Sequence, residues 1–120
     1  MRLDAVSLRR AMVLIGEHFV LTADVSRFYP SVYTHSIDWA ISSKSRAKQQ
    51  LKRKRKKLSI GASIDSLVQA CQSGQTRGIP IGPAISMLLA EILLGRVDAR
   101  LWKRGISTGF RFADDFELIF

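Results

Sequence analysis

Apolar residues recur at helical spacing most clearly in the last third of the chain. Ile85, Leu88, Leu89, Ile92, Leu93, Val97 and Leu101 form one stripe, while Glu91, Arg96, Asp98, Arg100 and Lys103 fall largely outside it. The spacing predicts a helix over 84–104, with Gly105 as its stop. Weaker patterns predict helices over 4–16 and 63–72, and another that follows Pro30 and packs through Val32, Ile37, Trp39, Ala40 and Ile41. Pro30 suits a first helical turn, and Ser31 suits its cap. The run HFVLTADV, residues 18–25, reads as a buried strand that delivers Asp24 at its carboxyl end. Three glycines and two prolines make SGQTRGIPIGP, residues 73–83, a loop. Residues 108–113 and 116–120 predict two short strands joined through Ala113, Asp114 and Asp115. The element order predicts an α+β fold, with helices on one face of a small antiparallel sheet.

A chain of 120 residues with 47% hydrophobic content is one domain at most and has enough apolar residues for a core. Its net charge of +9 is uneven. RAKQQLKRKRKK, residues 46–57, holds eight Lys and Arg and no acid, while the remaining residues carry eleven basic and ten acidic groups. The basic segment, spanning 44–58, is expected to continue as helix and to end before Gly61. Such a segment suits phosphate backbones, although a solvated charge run is the bland alternative. No aromatic interleaves it, so base stacking is not indicated by the sequence. The single cysteine, Cys71, excludes an intramolecular disulfide and reads as a small buried thiol. His18 and His35 lie apart from any Cys/His cluster and read as packing or surface residues. No signal peptide is evident, and the longest uncharged stretch, 78–90, is too short to span a bilayer. The expectation is a cytoplasmic protein without membrane contact.

The adjacent acids of FADD, Asp114 and Asp115, allow two readings. Asp is common in turns because its side chain bonds its own backbone. If the strand ending in Asp24 neighbours this hairpin, however, three carboxylates share one sheet edge and need a cation to stay ionised. Mg²⁺ accepts a few carboxylates together with phosphate oxygens and water. A pair of such ions suits phosphoryl transfer.

Three motifs then occur in order. DVSRFYPSVYTHSI resembles the first palm motif of reverse transcriptases, GQTRGIPIGPAIS their second and FADD their third. The likeness covers roughly residues 17–120, and its wording is similar to bacterial enzymes of the phage-defence and abortive-infection kind. It implies a polymerase palm with Asp24, Asp114 and Asp115 holding two Mg²⁺ ions, or Mn²⁺ in their place. Phe28 and Tyr29 would border the incoming nucleotide, and the Tyr29 ring would exclude a 2′-hydroxyl. Gly78, Pro80 and Gly82 would shape a nucleotide-binding loop, with Ser86 beside it. An RNA template, a DNA primer and dNTPs are the implied partners. Lys52, Arg53, Lys54, Arg55, Lys56 and Lys57 would contact nucleic acid.

Three departures stand out. Ile81 occupies a position that is often Gln, Ala84 one that is often Asp in relatives, and Phe112 one that is usually Tyr. The likeness also implies an incomplete palm: residues 1–16 as the remnant of a preceding helix, no fingers or thumb, and a last strand left unpaired and open to association. A catalytically inactive remnant that binds nucleic acid through the basic segment is the alternative. A metal-dependent nuclease is a third reading, which Tyr29 and GIPIGP argue against.

Overall fold

The computed structural model describes residues 5–16, 19–52 and 59–120. Nine elements follow in chain order: α1 (Ala5–Leu14), β1 (Val20–Asp24), α2 (Phe28–Ser31), α3 (His35–Ser42), α4 (Lys44–Lys52), α5 (Ile60–Ala70), α6 (Ala84–Lys103), β2 (Gly109–Phe112) and β3 (Asp115–Ile119). The α+β class holds. The chain divides into two compact units: one made from the chain up to Ser26 and from Val97 onward, the other from Arg27–Arg96. Among the described residues, no helix is long and apolar enough to cross a membrane.

The first unit is built on a three-stranded antiparallel sheet of order β1-β3-β2. β3 is central, so the expectation of an unpaired C-terminal strand is corrected. Its hydrogen bonds are taken by β1 on one side and β2 on the other, and Phe120 N donates to the Phe19 carbonyl at 3.0 Å. The edges belong instead to β1 and β2, and all five residues of β1 are exposed. The expected buried strand is therefore an exposed edge strand.

Directly paired residues share a sheet face and successive residues alternate. Glu117, paired with Thr22 and Phe110, thus lies on the face opposite Arg111 and Phe116. Arg10 of α1 reaches Glu117 in a two-point ion pair, Nε to Oε1 at 2.9 Å and a guanidinium nitrogen to Oε2 at 2.6 Å. Asp98 of α6 meets Arg111 from the other side. Helical contacts therefore reach the sheet on both faces, where the sequence pattern implied one. Phe116 and Ile119 are the buried hydrophobic residues of this sheet.

The second unit is helical. Phe28, Val32, Ile37, Ala40, Ala47, Ile79, Leu89, Ala90 and Leu94 are buried in it, and the helical spacing of the apolar positions accounts for most of them. Ile41, placed on the packed side by the pattern, is exposed instead. Ser31 does not cap α3; it ends α2, and its hydroxyl donates back to the Phe28 carbonyl at 2.8 Å. Ser43, at φ 72°, interrupts the helix between α3 and α4, so the basic run begins a new helix. The rest of that run falls at 53–58, outside the described residues.

Polar joints lock the helices together. Ser59 caps α5, accepting from Ala62 N at 3.0 Å, and donates to Asp38 Oδ1 at 2.7 Å. Ser42 donates to the same oxygen at 3.1 Å. A buried carboxylate is thereby satisfied by two hydroxyls near the positive end of α5. Gly61 makes this approach possible, since a Cβ there would stand 2.5 Å from Asp38 Oδ1. Arg96 of α6 donates through Nε to the Ala40 carbonyl at 2.6 Å, satisfying an orphan acceptor of the last turn of α3. Cys71 follows α5 and is exposed rather than buried.

Candidate functional site

The sheet places two of the three predicted carboxylates directly opposite each other. Asp24, the last residue of β1, pairs with Asp115, the first of β3. Direct pairing puts both on one face, at one end of the sheet. Asp114 precedes them in the hairpin turn, where its carbonyl accepts from Val25 N at 3.3 Å. Asp24 and Asp115 meet at one sheet end because the β1–β3 register pairs the last residue of one strand with the first of the other.

The turn itself is braced. Ala113 holds a left-handed φ of 52°, a conformation that costs a side-chain-bearing residue about 1–2 kcal/mol. Arg111 steadies it: NH1 donates to the Ala113 carbonyl at 2.9 Å, while Nε and NH2 grip Asp98 at 2.9–3.1 Å. Arg27, just beyond β1, is also left-handed at φ 52°. Backbone strain of this kind clusters at functional sites.

A cleft of about 530 Å³ opens on the Asp24 and Asp115 face. Thr22, Asp24, Phe112, Asp115, Glu117 and Arg10 are among its lining residues. Carboxylate oxygens are the hard donors that Mg²⁺ takes, and the cleft leaves room for phosphate and water. The donor set therefore fits a magnesium-type ion through Asp24 and Asp115. Among the described residues, however, no group of three or more His, Cys, Asp or Glu side chains gathers closely enough to hold a metal; Asp114 does not complete such a group.

The predicted nucleotide-side residues come together in the helical unit. Segment 28–34 runs beside segment 76–79. Ile79 N donates to the Tyr29 carbonyl at 3.0 Å, Gly78 N to Val32 O at 2.7 Å, and Thr34 N to Thr76 O at 2.9 Å. Tyr33 and Arg77 form an isolated antiparallel bridge between them. Phe28 is buried, and the half-buried Tyr29 ring meets it edge-on at 5.4 Å. Gly78 and Gly82 carry φ of +90° and +114°, and open space or ordinary contact surrounds the position a Cβ would take. Their requirement is a left-handed backbone, not close approach to another segment. Pro80 is half-buried between them.

Ser86 lies in the first turn of α6. It is 1% exposed and its hydroxyl has no hydrogen-bond partner. Lys52 ends α4, while Arg53, Lys54, Arg55, Lys56 and Lys57 lie outside the described residues.

Sequence reasoning missed a buried polar network beside the motif. His35 Nδ1 pairs with Asp65 Oδ2 at 2.5 Å, and Gln69 donates to Asp65 Oδ1 at 2.6 Å. Burial raises the Asp65 pKa, but the neighbouring Thr34 hydroxyl, the Gln69 amide and His35 outweigh it and hold the carboxyl below its ordinary value. The Thr34 oxygen lies close to this group yet outside hydrogen-bond geometry. No spacing links His35 to Asp65; only the packing of α3 on α5 does. Arg111 and Asp98 were likewise invisible, being thirteen residues apart on different elements.

Compared with known proteins, the chain matches no protein-family model and no curated protein.

Proposed function

We propose that this chain is the palm of a reverse transcriptase, adding deoxynucleotides to a primer 3′-hydroxyl on an RNA template, in the cytoplasm and in bacterial phage defence. The pairing of Asp24 with Asp115 on one sheet face, with Asp114 in the adjoining turn, carries the proposal. These carboxylates hold the magnesium ions. When bound, such ions activate an attacking hydroxyl and neutralise the charge of a leaving pyrophosphate. The braced turn keeps the two strands in register, so the carboxylates need little reorganisation. Tyr29 hangs from a backbone fixed by Ile79 and acts as the ring that excludes a ribose 2′-hydroxyl. Gly78, Pro80 and Gly82 shape the loop at the nucleotide, and the basic segment with Lys52 and its followers meets phosphates.

Calorimetric titration with Mn²⁺ tests the reading. Saturable binding is expected, and Asp24→Ala removes it, a loss above the roughly 100-fold that removing even an outer-shell partner costs. Unaltered protein without saturable binding overturns the proposal. It would leave the second reading, an inactive palm remnant holding nucleic acid through its basic residues. One observation favours that alternative: the lack of a three-carboxylate group among the described residues.

A further inference from the structure

The basic segment lacks aromatic residues in sequence, yet the fold brings rings to its start. Tyr33 stays 45% exposed. Its ring meets His35 nearly perpendicular at 4.8 Å and Trp39 at 5.6 Å. Lys44, the first residue of α4, stands over the Trp39 ring at 4.7 Å from its centroid. Lys48 follows one turn later on the same helix side and is exposed. Arg77, opposite Tyr33 in the bridge, shares its side and is exposed as well.

This cluster is held rigid from beneath. Asp65 fixes the His35 ring, and Gln69 fixes Asp65. The Tyr33 backbone is pinned between its bridge to Arg77 and the Thr34 to Thr76 bond. A preorganised ring gives up little entropy on binding. Lys44 in place over an indole also shows that the site tolerates a cation against a π face. An exposed Tyr33 ring beside a half-buried Trp39 ring, bordered by lysine and arginine, suits one ligand chemistry above others: unpaired bases for the rings and phosphates for the cations.

We infer that Tyr33 and Trp39, bordered by Lys44, Lys48 and Arg77, form a stacking platform for single-stranded nucleic acid. Charge complementarity suits any anionic partner, and the rings select the strand over an acidic protein because its bases are planar partners for stacking. The platform shares its ligand class with the proposed polymerase but needs no metal and no catalytic carboxylate.

The test is fluorescence anisotropy of a labelled single-stranded 20-mer, and of its duplex, with the full chain in EDTA at several salt concentrations. EDTA makes the measurement blind to the carboxylate site, so its outcome and that of the Mn²⁺ titration are independent. Tyr33→Ala should weaken single-strand binding about 10-fold, within the range for one lost stacked base, and leave duplex binding unchanged. Tyr33→Phe should restore it. Lys44→Gln should lower the salt slope by about 0.7, the value for one phosphate contact on a single strand. Equal losses on single strand and duplex, or single-strand affinity within twofold in a folded Tyr33→Ala protein, would overturn the inference. If Tyr33→Ala fails to fold, selective quenching is decisive: single-stranded DNA must quench Trp fluorescence in the unaltered chain and not in Trp39→Phe.

Discussion

The two units handle apolar surface in opposite ways. In the helical unit, Leu89 is 2% exposed, and Ile37, Val32 and Phe28 are buried as well. In the sheet unit, Leu21 on β1 is 51% exposed and only Phe116 and Ile119 are buried hydrophobic residues of the strands. Yet the thinly covered sheet carries the carboxylate pair, and the well-packed helices carry the loop with Gly78 and Gly82 and the Tyr33 and Trp39 rings. Stability and chemistry are therefore carried by different devices. The sheet holds its acids in place by strand register and a braced turn, whereas the helices hold their rings and glycines by core packing and buried polar joints.

Substitutions sharpen that contrast. Leu89→Ala should cost about 2–5 kcal/mol in chemical denaturation, whereas Leu21→Ala should stay within about 0.5 kcal/mol. Similar losses for both would mean that β1 is covered in solution. Next in size is Gly61→Ala, whose Cβ would collide with Asp38 and loosen the α3–α5 joint. An overpacking cost of about 1–3 kcal/mol is expected from the same denaturation curves.

Asp65 tests the buried network through pH. Its folded pKa lies below the ordinary value of 3.8, so its stabilising contribution is present above about pH 4 and is lost as pH falls through the folded value. Thermal melts from pH 5 downward should show that decline, and Asp65→Asn should flatten it. An unchanged slope would remove His35 and Gln69 from the account of Asp65. The smallest effect belongs to the sheet turn. Ala113→Gly relieves a left-handed alanine and should add up to about 1 kcal/mol, with glycine's greater unfolded-state entropy offsetting part of the gain. A loss instead would show that glycine's unfolded-state entropy outweighs the relieved backbone strain.

Much of this fold was legible along the chain. The α6 stripe from Ile85 to Leu101 set that helix to within a residue of its observed ends. The loop glycines, the hairpin around Asp114 and the α5 helix followed from turn chemistry and periodicity. These are local properties: backbone freedom, side-chain spacing and proline's missing donor act over a few residues. The candidate acids were legible for the same reason, since residue type alone carries their charge.

What required the folded chain were the long-range choices. β3 became the central strand and β1 an edge because strand order depends on which backbone donors meet, not on how apolar a strand reads. Ser86 became sealed although its helix-start position suggested access. His35 found Asp65, and Tyr33 and Trp39 came beside Lys44, because helix packing brings together groups that no sequence period connects. Residue type determines what a side chain can do; tertiary packing determines what it has to do it with.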